Sequence, residues 1–171
     1  MKNEYELKFS VNGFDDLLQV FRTSGSEFID SGDERNLLFD TPGGALRNAG
    51  VLLRLRQWGS NIILTVKQHI AVSGVKGRRE HETVLGSGLP EAEALLEALG
   101  YNRTGEYRKH RERWRLPCGV TACLDTLSFG LFLELEGESP EEVMKAAERL
   151  GFAPEEGILE GYPGLQKRLE P

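Results

Sequence analysis

Acidic and basic side chains recur along this chain in like-charged groups spaced two residues apart. Glu4, Glu6 and Lys8 alternate with Tyr5, Leu7 and Phe9, while Arg54 and Arg56 alternate with Leu53 and Leu55. Lys67 shares its parity with Thr65, Glu80 and Glu82 form an acidic pair, and Lys109, Arg111 and Arg113 form a basic row. Glu134 and Glu136 oppose Leu133 and Leu135. Clustered carboxylates are hard oxygen donors suited to Mg²⁺ or Mn²⁺, and Mg²⁺ commonly bridges carboxylates to substrate phosphates. Arginine matches phosphate oxygens through a planar fork, and lysine matches them as a point charge. Together the two sets imply a phosphorylated small molecule carried with a divalent metal. Six bases, Lys8, Arg54, Arg56, Lys67, Lys109 and Arg111, suit a triphosphate better than a monophosphate, because so much enclosed positive charge is costly when unpaired. Neither a Gly-x-x-x-x-Gly-Lys-Ser/Thr loop nor a Gly-x-Gly-x-x-Gly turn is present.

These residues need strands to align them, since side chains two apart share a face only in extended chain. Alternation and turn residues predict strands over 4–10, 34–40, 51–58, 62–69, 79–85, 107–116, 120–127 and 131–138. A polar, glycine-containing loop is expected over 71–78, and it is expected to be mobile. Helices are predicted over 13–22, carried by Phe14, Leu17, Leu18 and Phe21, and from Pro90 to Gly100, with Leu95, Leu96 and Leu99 on one side. A third starts at the cap Ser139 with Glu142 three residues on and stops at Gly151, and a shorter one lies near 163–169.

Any single strand of this kind reads as amphipathic, with its charged face in water. Taken together, rows of like charge cost energy unless an opposite charge or a ligand sits beside each. A sheet closed on itself supplies that arrangement, with charges in the lumen and apolar faces outward beneath helices. The expected fold is therefore α+β: a closed or nearly closed antiparallel eight-stranded barrel with helices outside.

With 171 residues, 39% hydrophobic and 28% charged, the chain suits one globular domain spanning 1–171. A net charge of -6 argues against nucleic acid or an anionic membrane as partner. No apolar run is long enough to span a bilayer, and the start lacks the apolar stretch of a signal peptide, so a soluble cytoplasmic protein is expected. Cys118 and Cys123 flank a turn without zinc-like spacing and read as reduced thiols.

Glu4-Tyr5-Glu6-Leu7-Lys8 resembles the Glu-x-Glu-x-Lys signature of the CYTH domain, or triphosphate tunnel metalloenzymes. The resemblance continues in order through Phe39-Asp40-Thr41-Pro42, Leu46-Arg47, Leu53-Arg54-Leu55-Arg56, Leu64-Thr65-Val66-Lys67, Arg79-Glu80-His81-Glu82, Lys109-His110-Arg111, Leu124-Asp125 and Phe132-Leu133-Glu134-Leu135-Glu136. Tyr162 and Leu165 resemble the family's C-terminal segment, with Gly161 and Gly164 where it carries Ser and Glu. The resemblance implies an eight-stranded tunnel whose members hydrolyse triphosphates, thiamine triphosphate among them, or cyclise ATP. Glu4, Glu6, Glu134 and Glu136 are then the implied ligands for Mg²⁺ or Mn²⁺, and with Lys8 the implied catalytic set. Asp125, Glu80 and Glu82 become further acidic wall, and Lys8, Arg54, Arg56, Lys67, Lys109 and Arg111 the triphosphate clamp. Arg113 and His81 fall outside the strong motif positions and read as structural or exposed.

Charge suited to a triphosphate without a recognisable purine pocket favours a triphosphatase acting on tripolyphosphate, thiamine triphosphate or a nucleoside triphosphate. A class IV-type adenylate cyclase, releasing cyclic AMP and pyrophosphate, is the alternative. A non-catalytic polyphosphate- or nucleotide-binding module is a weaker one, because the carboxylates are intact. Monomer and homodimer both fit.

Overall fold

The computed structural model describes residues 2–170, so the ends of the expected 1–171 domain, Met1 and Pro171, lie outside the described residues. Its strands are β1 (Lys2–Val11), β2 (Glu27–Asp40), β3 (Val51–Trp58), β4 (Asn61–Ile70), β5 (Lys76–Leu85), β6 (Asn102–Arg115), β7 (Thr121–Leu127) and β8 (Gly130–Gly137). They close into one antiparallel barrel in the order β1-β5-β4-β3-β2-β6-β7-β8. β1 seals it, pairing with β5 from Lys2–Glu80 to Glu6–Lys76 and with β8 from Tyr5–Gly137 to Val11–Leu131.

The expected inversion is present. Leu7, Phe9, Leu124, Leu133 and Leu135 face outward and are buried with Leu17 and Phe21 of α1 (Asp15–Thr23) and Val143, Ala146 and Ala147 of α4 (Pro140–Arg149). On the opposite side Leu37, Phe39, Leu53 and Leu55 pack with Leu89, Ala92 and Leu96 of α3 (Leu89–Ala98). Each buried Val, Leu or Phe among these contributes about 1.5–3 kcal/mol, so the fold is held largely from outside the barrel wall, which leaves most of the wall's inner face for polar groups. α2 (Ala45–Asn48) is a single turn, and α5 (Tyr162–Leu169) lies across one barrel end.

Local chemistry sets the element ends. Ser139 caps α4, its Oγ accepting from Glu142 N at 3.3 Å. Asp40 organises the β2–β3 turn, its carboxylate accepting from the backbone N–H of Thr41, Leu46 and Arg47 at 2.7, 2.9 and 3.1 Å. Gly44 turns there at φ 71°, which only glycine adopts without strain.

Several boundaries differ from those expected. β2 begins at Glu27 and β6 at Asn102, and the two pair along their length from Glu27–Arg115 to Asp40–Asn102. The expected loop over 71–78 ends early, because Lys76, Gly77 and Arg78 pair with β1 and β4, and Val75 before them is buried in the outer core. In α3 the buried side is Leu89, Ala92 and Leu96, whereas Leu95 and Leu99 are exposed. Spacing of i, i+3 and i+7 puts the first three on one stripe, and Leu95 and Leu99 fall beside it. Among the described residues no helix is long and apolar enough to cross a membrane.

Candidate active site

Strand parity brings the charged residues into one lumen. Glu6 lies opposite Glu136 and Lys8 opposite Glu134 in the β1–β8 ladder, and Lys67 lies opposite Glu80 in β4–β5. Lys8, Arg54, Lys109, Arg111, Asp125, Glu134 and Glu6 are all buried despite their charge, so each must find a partner.

The partners are one another. Arg111 donates from Nε to Asp125 Oδ1 at 2.6 Å and from Nη2 to Asp125 Oδ2 at 2.7 Å, reaching Glu134 at 3.2 Å and Glu136 at 2.9 Å as well. Lys109 Nζ donates to Asp125 Oδ2 at 3.0 Å and stands 3.7 Å from Glu34. Lys67 pairs with Glu4 at 3.3 Å and with Glu80, Lys76 pairs with Glu6, and Lys8 Nζ lies 3.8 Å from Glu134. Arg54 Nη2 donates to Thr65 Oγ1 at 3.4 Å, and Thr65 Oγ1 donates to Glu82 at 3.0 Å. Glu82 itself is exposed, at the barrel rim rather than deep in the wall.

Several lumen residues were not anticipated. Glu34 and Asn36 on β2 form a polar bridge: Asn36 Nδ2 donates to Glu34 Oε2 at 3.2 Å, and Arg56 Nε donates to Asn36 Oδ1 at 3.1 Å while lying 3.3 Å from Glu34. Lys76, Arg78 and Tyr107 also line the lumen. Lys76 and Arg78 share the parity of Glu80 and Glu82, so extending that strand by one turn of alternation was the available signal. Arg113 binds Asp30 and lies over the Trp58 ring at 5.3 Å, and His81 is exposed; both match the structural reading. Cys118 and Cys123 are free thiols.

One end is plugged. Tyr162 of α5 is buried with Tyr107, Leu127, Phe132 and Leu165, donates its hydroxyl to Asp125 Oδ2 at 2.6 Å, and sets its ring 4.1 Å from Lys8 Nζ. Glycine at 161 and 164 leaves this closure intact. The preceding segment is tied to β1 as well, with Ile158 N donating to Lys8 O at 2.7 Å and Lys8 Nζ donating to Glu160 O at 3.2 Å.

The free space between the lumen side chains is about 110 Å³. A wider cavity of about 700 Å³ adjoins it beside α5 and the Asp40–Gly44 turn, sharing Leu52, Arg78 and Pro163 with the lumen lining. A larger concavity of about 960 Å³ beside β2 and β6 reaches Glu34, Tyr107 and Lys109 and also takes in Arg35 and Arg108, both of which are already paired with Glu106. The unbalanced chemistry is in the lumen.

Burial raises the carboxyls of Glu4 and Glu136, and neighbouring carboxylates add to it, Glu80 and Glu6 for the first and Glu4 and Glu134 for the second. Burial acts on Glu134 too, yet Lys8, Arg111 and Lys109 hold it well below the ordinary range. Hard oxygen donors crowded by like charge, with Glu6 directly opposite Glu136, suit a divalent cation. Among the described residues no three such groups converge at metal-ligating geometry, because each carboxylate is turned to a lysine or arginine. A cation would have to exchange with those basic partners.

The comparisons agree with this architecture. No curated protein matches the chain. A candidate adenylate cyclase from Vibrio parahaemolyticus superposes with a TM-score of 0.83 at 22% identity, covering 97% of this chain and 98% of its own. The PH1012 protein of Pyrococcus horikoshii OT3 gives 0.79 at 26% identity, with 95% and 98% covered. HpAC1 from Hippeastrum, a candidate adenylyl cyclase described as having a dominant triphosphatase activity, gives 0.66 at 19% identity, with 98% and 95% covered. The CYTH domain model matches residues 2–162. A barrel with charge inside and apolar packing outside, matched to that model over nearly its whole length, belongs to the CYTH domain family.

Proposed function

We propose that the chain is a metal-dependent triphosphatase of the cytoplasm, splitting inorganic or organic triphosphates to release orthophosphate. The observation that carries this reading is one lumen in which Arg54, Arg56, Lys67, Lys109 and Arg111, from three strands, face the same space as Glu6, Glu134 and Glu136. Phosphoryl transfer asks little of a protein beyond positioning and charge stabilisation. The basic side chains bind non-bridging oxygens and neutralise charge gathering on the leaving diphosphate. The enclosing wall limits water near the reacting bond. Glu4, Glu6, Glu134 and Glu136 are the residues that would hold Mg²⁺ or Mn²⁺ on turning from their basic partners, and the ion would neutralise phosphate charge and polarise the phosphorus–oxygen bonds. Their crowding supports that assignment, since a cation relieves it. The triphosphatase activity described for HpAC1 also supports trying hydrolysis first.

Purified protein supplied with Mg²⁺ or Mn²⁺ should convert tripolyphosphate to orthophosphate and pyrophosphate, and chelation should abolish turnover. Cyclic AMP as the main product from ATP, with tripolyphosphate left intact, overturns the hydrolase in favour of a cyclase.

A further inference from the structure

Glu34 is a carboxylate in the middle of the basic wall. β2 lies between β3 and β6 in the ring, and Glu34 stands opposite Lys109 on β6 and opposite Trp58 on β3, one inward position along from the Asn36–Arg56 pair, where the charges of Lys109, Arg56, Arg111 and Arg54 all act on it. Its side chain is 1% exposed. Oxygen Oε2 faces three donors, Asn36 Nδ2 at 3.2 Å, Arg56 Nε at 3.3 Å and Lys109 Nζ at 3.7 Å. Oxygen Oε1 is buried without a hydrogen-bond partner among the described residues, and so is Arg54 Nε nearby.

We propose that Glu34 is a resident counter-anion of the clamp and a specificity-determining residue, which a polyphosphate must compete with for Arg56 and Lys109. The inference rests on the lumen being a polyphosphate site, and it names what decides the length of phosphate accepted.

Binding in such a site is an exchange. Arg56, Lys109 and Arg111 are already satisfied by Glu34, Asp125, Glu134 and Glu136, so an anion reaching only these bases replaces one set of charge-assisted bonds with another and gains little. A longer chain of phosphates also reaches bases that are under-used. Arg54 is the clearest, with one guanidinium nitrogen buried and unpartnered. Its extra contacts offset the exchange, whereas a pyrophosphate or orthophosphate cannot span far enough to collect them. Burial favours protonation of Glu34, but Lys109, Arg56, Arg111 and Arg54 together hold its carboxyl well below the ordinary range, so the counter-anion stays charged at neutral pH. Release of short products follows from the same geometry, because Glu34 recloses on Arg56 and Lys109 as they leave.

Glu34→Gln separates this role from simple scaffolding. All three neighbours of Oε2 are donors, so the glutamine carbonyl takes that place and the clamp keeps its anchor while losing the charge. Calorimetric titration with inorganic tripolyphosphate and pyrophosphate, in the presence of a chelator, needs no turnover. Wild type should bind tripolyphosphate at least roughly tenfold more tightly than pyrophosphate, and Glu34→Gln should tighten pyrophosphate by roughly tenfold or more, narrowing that ratio. Equal wild-type affinities overturn the proposal whatever the variant does. So does unchanged or weaker pyrophosphate binding by a Glu34→Gln protein whose thermal unfolding remains cooperative, since a mere anchor predicts weakening. Wild type that binds both ligands as expected but hydrolyses nothing once Mg²⁺ or Mn²⁺ is restored defeats the triphosphatase reading alone.

Discussion

Arg111 is shared among Asp125, Glu134 and Glu136, whereas Arg56 and Lys109 are each tied to fewer carboxylates. Arg56→Ala or Lys109→Ala should therefore raise KM for tripolyphosphate, each lost contact being worth about 1.5–3 kcal/mol as a charge-assisted bond. Glu136→Gln should leave KM nearer its original value and lower kcat, as a metal ligand would. Steady-state kinetics check this, and unchanged KM in both basic variants would leave the clamp without support. A separate prediction concerns acid. Glu34 has a depressed carboxyl, so the folded protein holds that proton less readily than the unfolded chain, and the stabilisation is complete above the unfolded value. It is lost as pH falls below about 4.5 toward the lower folded value. Glu34→Gln should flatten that acid limb in urea melts between about pH 5 and 3, and parallel limbs would show the group contributes nothing. Glu34 escaped the sequence reading because its strand neighbours Asn36 and Leu38 form no like-charged pair with it. Glu4, Glu6, Glu134 and Glu136 were legible as lumen candidates because doubled charge recurs at two-residue spacing in several strands together, and their roles came from the resemblance.

At the scale of elements, alternation located every strand of the barrel but placed several ends wrongly. Residues 27–33 read poorly as strand because Phe28 and Ile29 are adjacent and the rest are polar or glycine, so neither face shows an apolar row. They extend because β6 is equally long and pairs with them on both sides of a bulge at Ile29. The start of β5 was hidden for a similar reason: Gly74 and Gly77 signal a turn, while pairing of Lys76 with Glu6 overrides that local preference. α5 was foreseen as a short helix, but its use as a plug depends on Tyr162 meeting Asp125 and the Tyr107–Phe132 cluster, which no local pattern reports. Tyr162→Ala should cost about 3–5 kcal/mol through the cavity it leaves, and Tyr162→Phe about 1.5–3 kcal/mol through the lost hydroxyl bond to the Asp125 carboxylate. Urea denaturation distinguishes them. Equal losses would mean that the hydroxyl, not the ring, holds the plug.

Across the whole molecule, apart from the Tyr107–Leu127–Phe132 cluster under Tyr162, the apolar packing and the charged chemistry occupy opposite sides of the same strands, so mutations to either should be largely separable away from the plugged end. The barrel's seal adds a constraint of a different kind, on the order in which the chain folds. β1 comes from the first residues, yet its partners are β5, from the middle of the chain, and β8, from near residue 137, and the β1–β5 ladder is the shortest in the ring. Hairpins such as β3–β4 and β7–β8 close over a few residues, whereas seating β1 requires loop closures of far greater length. β1 should therefore dock last, and pulse-labelled hydrogen exchange during refolding should show its amides protected after those of β7–β8. Protection of β1 ahead of that hairpin would reverse the order. Since β1 carries Glu4, Glu6 and Lys8, an open sheet waiting for it would be without part of its acidic wall and would expose unpaired edges on β5 and β8. Anything that delays docking, such as a bulky fusion at the N-terminus, should slow the return of activity and promote edge-to-edge aggregation through those two strands.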